Sequence, residues 1–151
     1  MTDTLTTRLA AFAAGSVSAS SLVQRVTCLS ALDWLAVGRA GAEEPVSKIV
    51  REMAQDEGGA GQAHVFGATS PLPARAAALV NGTTSHALDY DDTHFAHIGH
   101  PSVAVFPAVL AVAEGRGCPT VEILEAALVG MESSSIERMV RSSRTILMFE
   151  S

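Results

Sequence analysis

His86 to Ser102 reads HALDYDDTHFAHIGHPS, and it holds four of the chain's five histidines, His86, His94, His97 and His100, among three aspartates, Asp89, Asp91 and Asp92. Such a density of titratable groups can serve several chemistries. A metal site is one: His94, His97 and His100 stand three residues apart with carboxylates nearby. Gly99 and Pro101 flank His100, however, so one helix does not carry all three, and there is no HExxH pair and no neighbouring cysteine. General acid–base work without a metal is a second. Histidine exchanges a proton near neutral pH, a neighbouring aspartate can orient it, and the Thr93 hydroxyl can hold a substrate oxygen. His100-Pro101-Ser102 reads as a helix N-terminus, whose free N–H groups attract anions such as a carboxylate. The bland alternative is that these residues cap helices and solvate a loop. Nucleophilic catalysis by Ser85 or Ser102 lacks a GxSxG elbow.

The rest of the chain limits what could position this segment. At 151 residues with 48% apolar and 17% charged residues, it has enough chain for one folded domain with a core. Aromatics are 5%, so Ala, Val and Leu carry the apolar content, which favours closely packed helices over a β-sandwich. A formal charge of −6 argues against a nucleic-acid partner and against an anionic membrane surface. Cys28 and Cys118 form no CxxC pair and read as free thiols. The start, MTDTLTTRLAAFAAG, does not resemble a signal peptide, and the apolar run from Val103 to Ala113 is broken by Pro107, so a cytoplasmic location is expected.

Helical spacing and punctuation predict an all-α chain of five or six helices. A first helix runs from Thr4 to Ala14, capped by Asp3 or Thr4, with Leu5, Leu9 and Phe12 on one face. After the polar break at Ser18–Ser21 a longer helix reaches Arg39, its stripe being Leu22, Val26, Leu29, Leu32 or Asp33, and Ala36, with Gly41 as its stop. Glu43-Glu44-Pro45 starts a third, with Val46, Ile49, Val50 and Met53 in register, ending by Gly58. His64 to Gly67 could be a short extended piece. A helix from Ala74 to Ala87 keeps Asn81-Gly82 inside it, and another from Ser102 to Glu114 bends at Pro107. Pro119-Thr120 opens a helix through Leu128. From Met131 the composition turns to serine and arginine, with Arg138, Arg141 and Arg144 spaced as a solvated stripe or an unfolded tail.

Asn81-Gly82-x-x-x-His86-Ala-Leu-Asp89-Tyr-Asp91-Asp92-Thr93, followed by His100-Pro101-Ser102 and Pro107-Ala108, resembles the signature of the MmgE/PrpD family. That family includes 2-methylcitrate dehydratase, cis-aconitate decarboxylase and relatives of iminodisuccinate epimerase. Leu32-Asp33-Trp34-Leu35 is similar to another family stretch, and the likeness spans about residue 5 to Val129. The resemblance implies a bundle-like helical domain completed by a separate α+β lid, a homodimer, and chemistry on small di- and tricarboxylic acids with no metal or cofactor. It places Asp89, Thr93 and His100 on active-site positions of the decarboxylase branch. His100 would bind a carboxylate or pass a proton, Thr93 would hold a substrate oxygen with Ser102 nearby, and Asp89 would orient its neighbours or transfer a proton. The Thr93–His100 loop is one residue longer than in that branch, which favours a dehydratase or an epimerase-like relative.

The resemblance also implies a longer protein, with a further histidine, lysines and the lid, which find no counterpart in these residues. Residues 1–130 therefore read as the N-terminal part of the helical domain and 131–151 as a divergent tail. The expectation is a truncated lyase or isomerase, inactive alone; a non-catalytic helical remnant or interaction module is the alternative, ahead of a metal-dependent hydrolase.

Overall fold

A computed structural model describes residues 4–15, 18–94 and 99–149, with side chains in the last stretch described as far as residue 135. Six helices account for the regular structure among these residues: α1 (Leu5–Ala13), α2 (Ser21–Gly41), α3 (Pro45–Glu57), α4 (Ala74–His86), α5 (Pro101–Arg116) and α6 (Thr120–Phe149). The chain is all-α. None of these helices is long and apolar enough to cross a membrane.

Helix boundaries follow local chemistry. The Thr4 and Ser20 hydroxyls accept from the backbone N–H groups of Thr7 and Val23, capping α1 and α2. Pro45 opens α3, where its missing N–H costs nothing, and Gly58 with φ 68° closes it. Gly117, also left-handed at φ 68°, closes α5, and its N–H bonds back to Ala113 and Glu114. Asn81 and Gly82 lie within α4, as expected, and Pro107 lies within α5. The segment 64–67 is not a strand: its neighbourhood holds one isolated antiparallel bridge, between Ala63 and Leu72. Instead of ending near Leu128, the last helix continues to Phe149. Arg138, Arg141 and Arg144 have side chains outside those described, and Asp3 lies outside the described residues altogether.

Packing puts α4 at the centre, against α2, α3 and α5, with α6 covering α5 and α2. Ala54, Ala63, Val65, Leu72, Ala77, Val80 and Ala111 form one core cluster. Trp34, Phe106 and Ala127 form a second, where Trp34 stacks on Phe106 with centroids 5.8 Å apart and meets Phe66 at 5.2 Å. Few side chains are large, so the helices approach closely. A Cβ on Gly41 would sit 2.3 Å from the Thr84 carbonyl oxygen, so glycine is there for the α4 contact. Its φ is not left-handed, and the conformation does not require it as a stop.

The inward faces of α2 and α3 differ from those the apolar spacing suggested. On α2 the buried positions are Thr27, Trp34, Gly38 and Gly41, while Leu22, Val26, Leu29 and Leu32 are exposed. On α3, Ser47, Arg51 and Ala54 are buried, while Val46, Ile49 and Met53 are exposed. The small and polar residues face inward because the interhelical gap at α4 is narrow. Arg51 fills a polar role there: its Nη1 donates to the carbonyls of Ala42 at 3.1 Å and Phe66 at 3.2 Å, tying the end of α2 to the 63–73 connection.

Asn81 pins the same connection to α4. Its Oδ1 accepts from the Phe66 N–H at 2.9 Å and its Nδ2 donates to the His64 carbonyl at 2.9 Å. Asn81→Ala leaves both backbone groups without that partner and is expected to cost about 1–3 kcal/mol. Urea unfolding monitored through Trp34 fluorescence checks this: the midpoint falls with the slope unchanged.

Candidate functional site

The site is built where α4 ends and α5 begins. Helix α4 carries His86 in its last turn, and α5 is preceded by His100 at its N-cap position. The two helices run antiparallel: Gly82 lies against the Val103 carbonyl and Pro107, and farther along Ala77 and Val80 share a cluster with Ala111. That pairing brings the two imidazoles together, with centroids 4.9 Å apart and planes tilted by 59°.

The intervening aspartates then take three separate positions. Asp89 has φ 55°, the only left-handed non-glycine among the described residues, and its N–H bonds back to the His86 carbonyl at 3.1 Å. Aspartate tolerates this region better than most residues. The turn brings the exposed Asp89 carboxylate to 3.7 Å from His100 Nε2. Asp91 turns inward, its side chain fully buried, and accepts from His86 Nδ1 at 2.9 and 3.1 Å. Asp92 accepts from the Ser102 N–H at 3.2 Å and from the Ser102 hydroxyl at 2.7 Å. The start of α5 thus receives its anion from within the chain, at the place where the sequence suggested a substrate carboxylate. Ser102 is fully buried and its hydroxyl hydrogen is committed to Asp92.

His100 is held by its Nδ1, which lies 3.2 Å from the Asp91 carbonyl oxygen and 3.5 Å from the Asp91 carboxylate. A carbonyl can only accept, so Nδ1 carries the hydrogen and the neutral ring leaves Nε2 as the basic atom, facing Asp89. The hydrogen bond to the Asp91 carbonyl raises the His100 pKa above the ordinary histidine value; partial burial opposes this, and the charges of Asp91 and Asp89 add to the rise.

The other expected residues are placed differently. Thr93 is exposed and lines a hollow of about 340 Å3 between α2 and α6, together with Val26, His94 and Pro101. Asp89 and His100 are not among the residues lining that hollow. The Asp89–His100 pair is therefore formed, and Thr93 stands beside a neighbouring cavity. The His94 N–H bonds to the Gly99 carbonyl at 3.0 Å across residues 95–98. His97 lies outside the described residues, so the His94–His97–His100 metal set is not seen as a unit. A different set converges: ligand atoms of His86, Asp89, Asp91 and His100 all lie within 4.8 Å of one another, close enough to hold a cation. His86 and Asp91 had no assigned role in the sequence reading. Their spacing, five residues across a helix end, left their pairing open until the turn at Asp89 was known.

The raised pKa of His100 has a definite sign in stability. A group whose pKa is higher in the folded state stabilises below its unfolded pKa, and loses that contribution as pH rises through the folded value. Wild type is therefore expected to exceed His100→Gln in stability on the acid side of the histidine range, with the gap narrowing as pH climbs past it. Paired urea titrations across that range measure the gap.

Comparison with known proteins agrees with this signature. None of the curated protein sequences matches the chain. The model of the MmgE/PrpD N-terminal domain matches residues 7–142, reaching past Gly130 into the serine-rich part of α6. The match takes in the whole of the α4–α5 site and most of the chain around it, and on that ground the chain belongs to the MmgE/PrpD family, as its N-terminal domain.

Proposed function

We propose that the α4–α5 cluster is the acid–base part of a site for small di- and tricarboxylic acids, serving a dehydratase-like lyase or an epimerase-like isomerase. The observation that carries this reading is the His100 ring, held through Nδ1 with its Nε2 3.7 Å from the Asp89 carboxylate. In the neutral ring the Nε2 lone pair takes a proton from the carbon next to a substrate carboxylate. The imidazolium that results is stabilised by Asp89 and Asp91. In a dehydration, the C–H electron pair becomes the new C=C bond as the C–O bond breaks, and the departing hydroxide takes the proton held on His100 Nε2, leaving as water and returning the ring to its neutral form. In an epimerisation, the carbanion is reprotonated from the other face. Thr93, at the adjoining hollow, would hold a substrate oxygen.

Electrostatics limits what this cluster does alone. Asp89, Asp91 and Asp92 make it acidic, and a tricarboxylate entering it needs cations beyond the two histidines. Lys48 is the one lysine in the sequence, and it lies on α3, 3.1 Å from Glu43. The other nine strongly basic residues are arginines, and among the described side chains none is paired with the cluster's aspartates, so on this reading the further positive groups come from outside the cluster.

Titration of isotopically labelled protein with 2-methylcitrate or cis-aconitate tests the reading. His100 ring resonances should move and saturate, and proton exchange of bound acid with D2O should fall by about 100-fold or more in His100→Ala. If neither acid moves His100, the carboxylate reading fails. A second reading has its own observation: the His86, Asp89, Asp91 and His100 ligand atoms, within 4.8 Å, could hold a divalent cation. Binding there would require the two Nδ1 hydrogen bonds to open or the Nε2 atoms to swing inward. One equivalent of zinc in purified protein, lost in Asp91→Asn, would favour it over the metal-free scheme.

A further inference from the structure

In the acid–base scheme Asp91, the most buried ionisable group of the site, helps to stabilise the imidazolium, and what orients the two rings is left open. The Asp91 side chain has no exposed surface, yet it lies between two imidazoles that come from different helices. We infer that Asp91 is a positioning residue, a shared anchor that fixes both His86 and His100 by their Nδ1 atoms and so presents two Nε2 atoms for proton transfer. The inference rests on the acid–base reading above and adds His86 to the set of groups able to carry a proton there.

The geometry supports each part. An ionised carboxylate only accepts, so at His86 the atom 2.9 Å from Asp91 Oδ1 must be an Nδ1–H donor. At His100 the same side chain supplies a carboxylate oxygen at 3.5 Å, and the Asp91 backbone carbonyl accepts at 3.2 Å. One residue therefore selects the same tautomer twice, through its side chain for His86 and through side chain and main chain for His100. Its burial keeps the carboxylate from being solvated away from either ring. The two imidazoles, 4.9 Å apart, are both held at Nδ1 and both partly exposed, His86 48% and His100 27% at the side chain. Two adjacent bases on one anchor can divide a proton removal and a proton delivery between them. Among the described residues, the titratable groups that contact His100 or shift its pKa are His86 from α4 and Asp89, Asp91 and Asp92 from the α4–α5 connection.

Long-range proton–nitrogen NMR of the labelled 151-residue chain reads the tautomers directly. In wild type, the neutral forms of His86 and His100 should both carry hydrogen on Nδ1. In Asp91→Asn the side-chain amide can donate to Nδ1, so His86 should shift toward the Nε2–H tautomer and His100 should titrate at lower pH. In His86→Gln, His100 should keep its Nδ1–H tautomer, since its own contacts with the Asp91 carbonyl and carboxylate remain. Wild-type spectra showing Nε2–H at either ring overturn the proposal, whether or not the variants fold. So does an Asp91→Asn protein whose His86 tautomer and His100 midpoint match wild type. These readouts are taken without substrate, so their failure is told apart from failure of the carboxylate reading, which shows in the titrations with acids.

Discussion

The close approach of α4 and α5 at Gly82 is the contact on which the rest depends. A Cβ at Gly82 would lie 3.3 Å from the Val103 carbonyl oxygen, tighter than most real contacts allow. With no side chain there, the helices come near enough for the end of one and the beginning of the next to share a hydrogen-bonded cluster. A wider spacing would leave Asp91 able to reach one imidazole and not the other. The glycine that the sequence places inside a helix therefore acts through packing.

The same economy of volume runs through the domain. Gly41 admits the Thr84 carbonyl, Gly130 faces Val105, and Ala77 and Ala127 are fully buried at helix contacts. Small residues let helices approach and make many weak dispersion contacts per unit area. They leave little volume for bulky side chains, and three of the seven aromatic residues, Trp34, Phe66 and Phe106, meet at one place. They also leave the large aliphatic residues of α2 pointing outward, Leu22 at 69% and Leu32 at 63% exposure. That helix is apolar on two sides, and its outer side is unburied among the described residues.

The three aspartates show how one short run divides its work. Asp92 serves the helix, supplying the negative charge that the N-terminus of α5 favours. Asp91 serves the two histidines, and Asp89 serves the turn as well as His100 Nε2. Since the helix end is already satisfied internally, a bound organic acid must find its positive partners in the imidazoles and in groups outside the cluster.

The starts of α1, α2 and α3 and the ends of α3 and α5 were legible because capping is local: Thr4, Ser20, Pro45, Gly58 and Gly117 act on atoms within one turn of themselves, whereas α6 runs past Leu128 to Phe149. The all-α class and the family were legible for the same reason, being matters of type and spacing along the chain. Which face of α2 turns inward was not legible, since both faces carry apolar residues and the choice belongs to the α4 surface it meets. Nor was the pairing of His86 with Asp91, or the separation of Thr93 from the Asp89–His100 pair. Those depend on a left-handed residue at Asp89 and on how near two helices can come. Backbone direction after such a turn is decided by contacts between residues distant in sequence, and no period or motif along the chain records it.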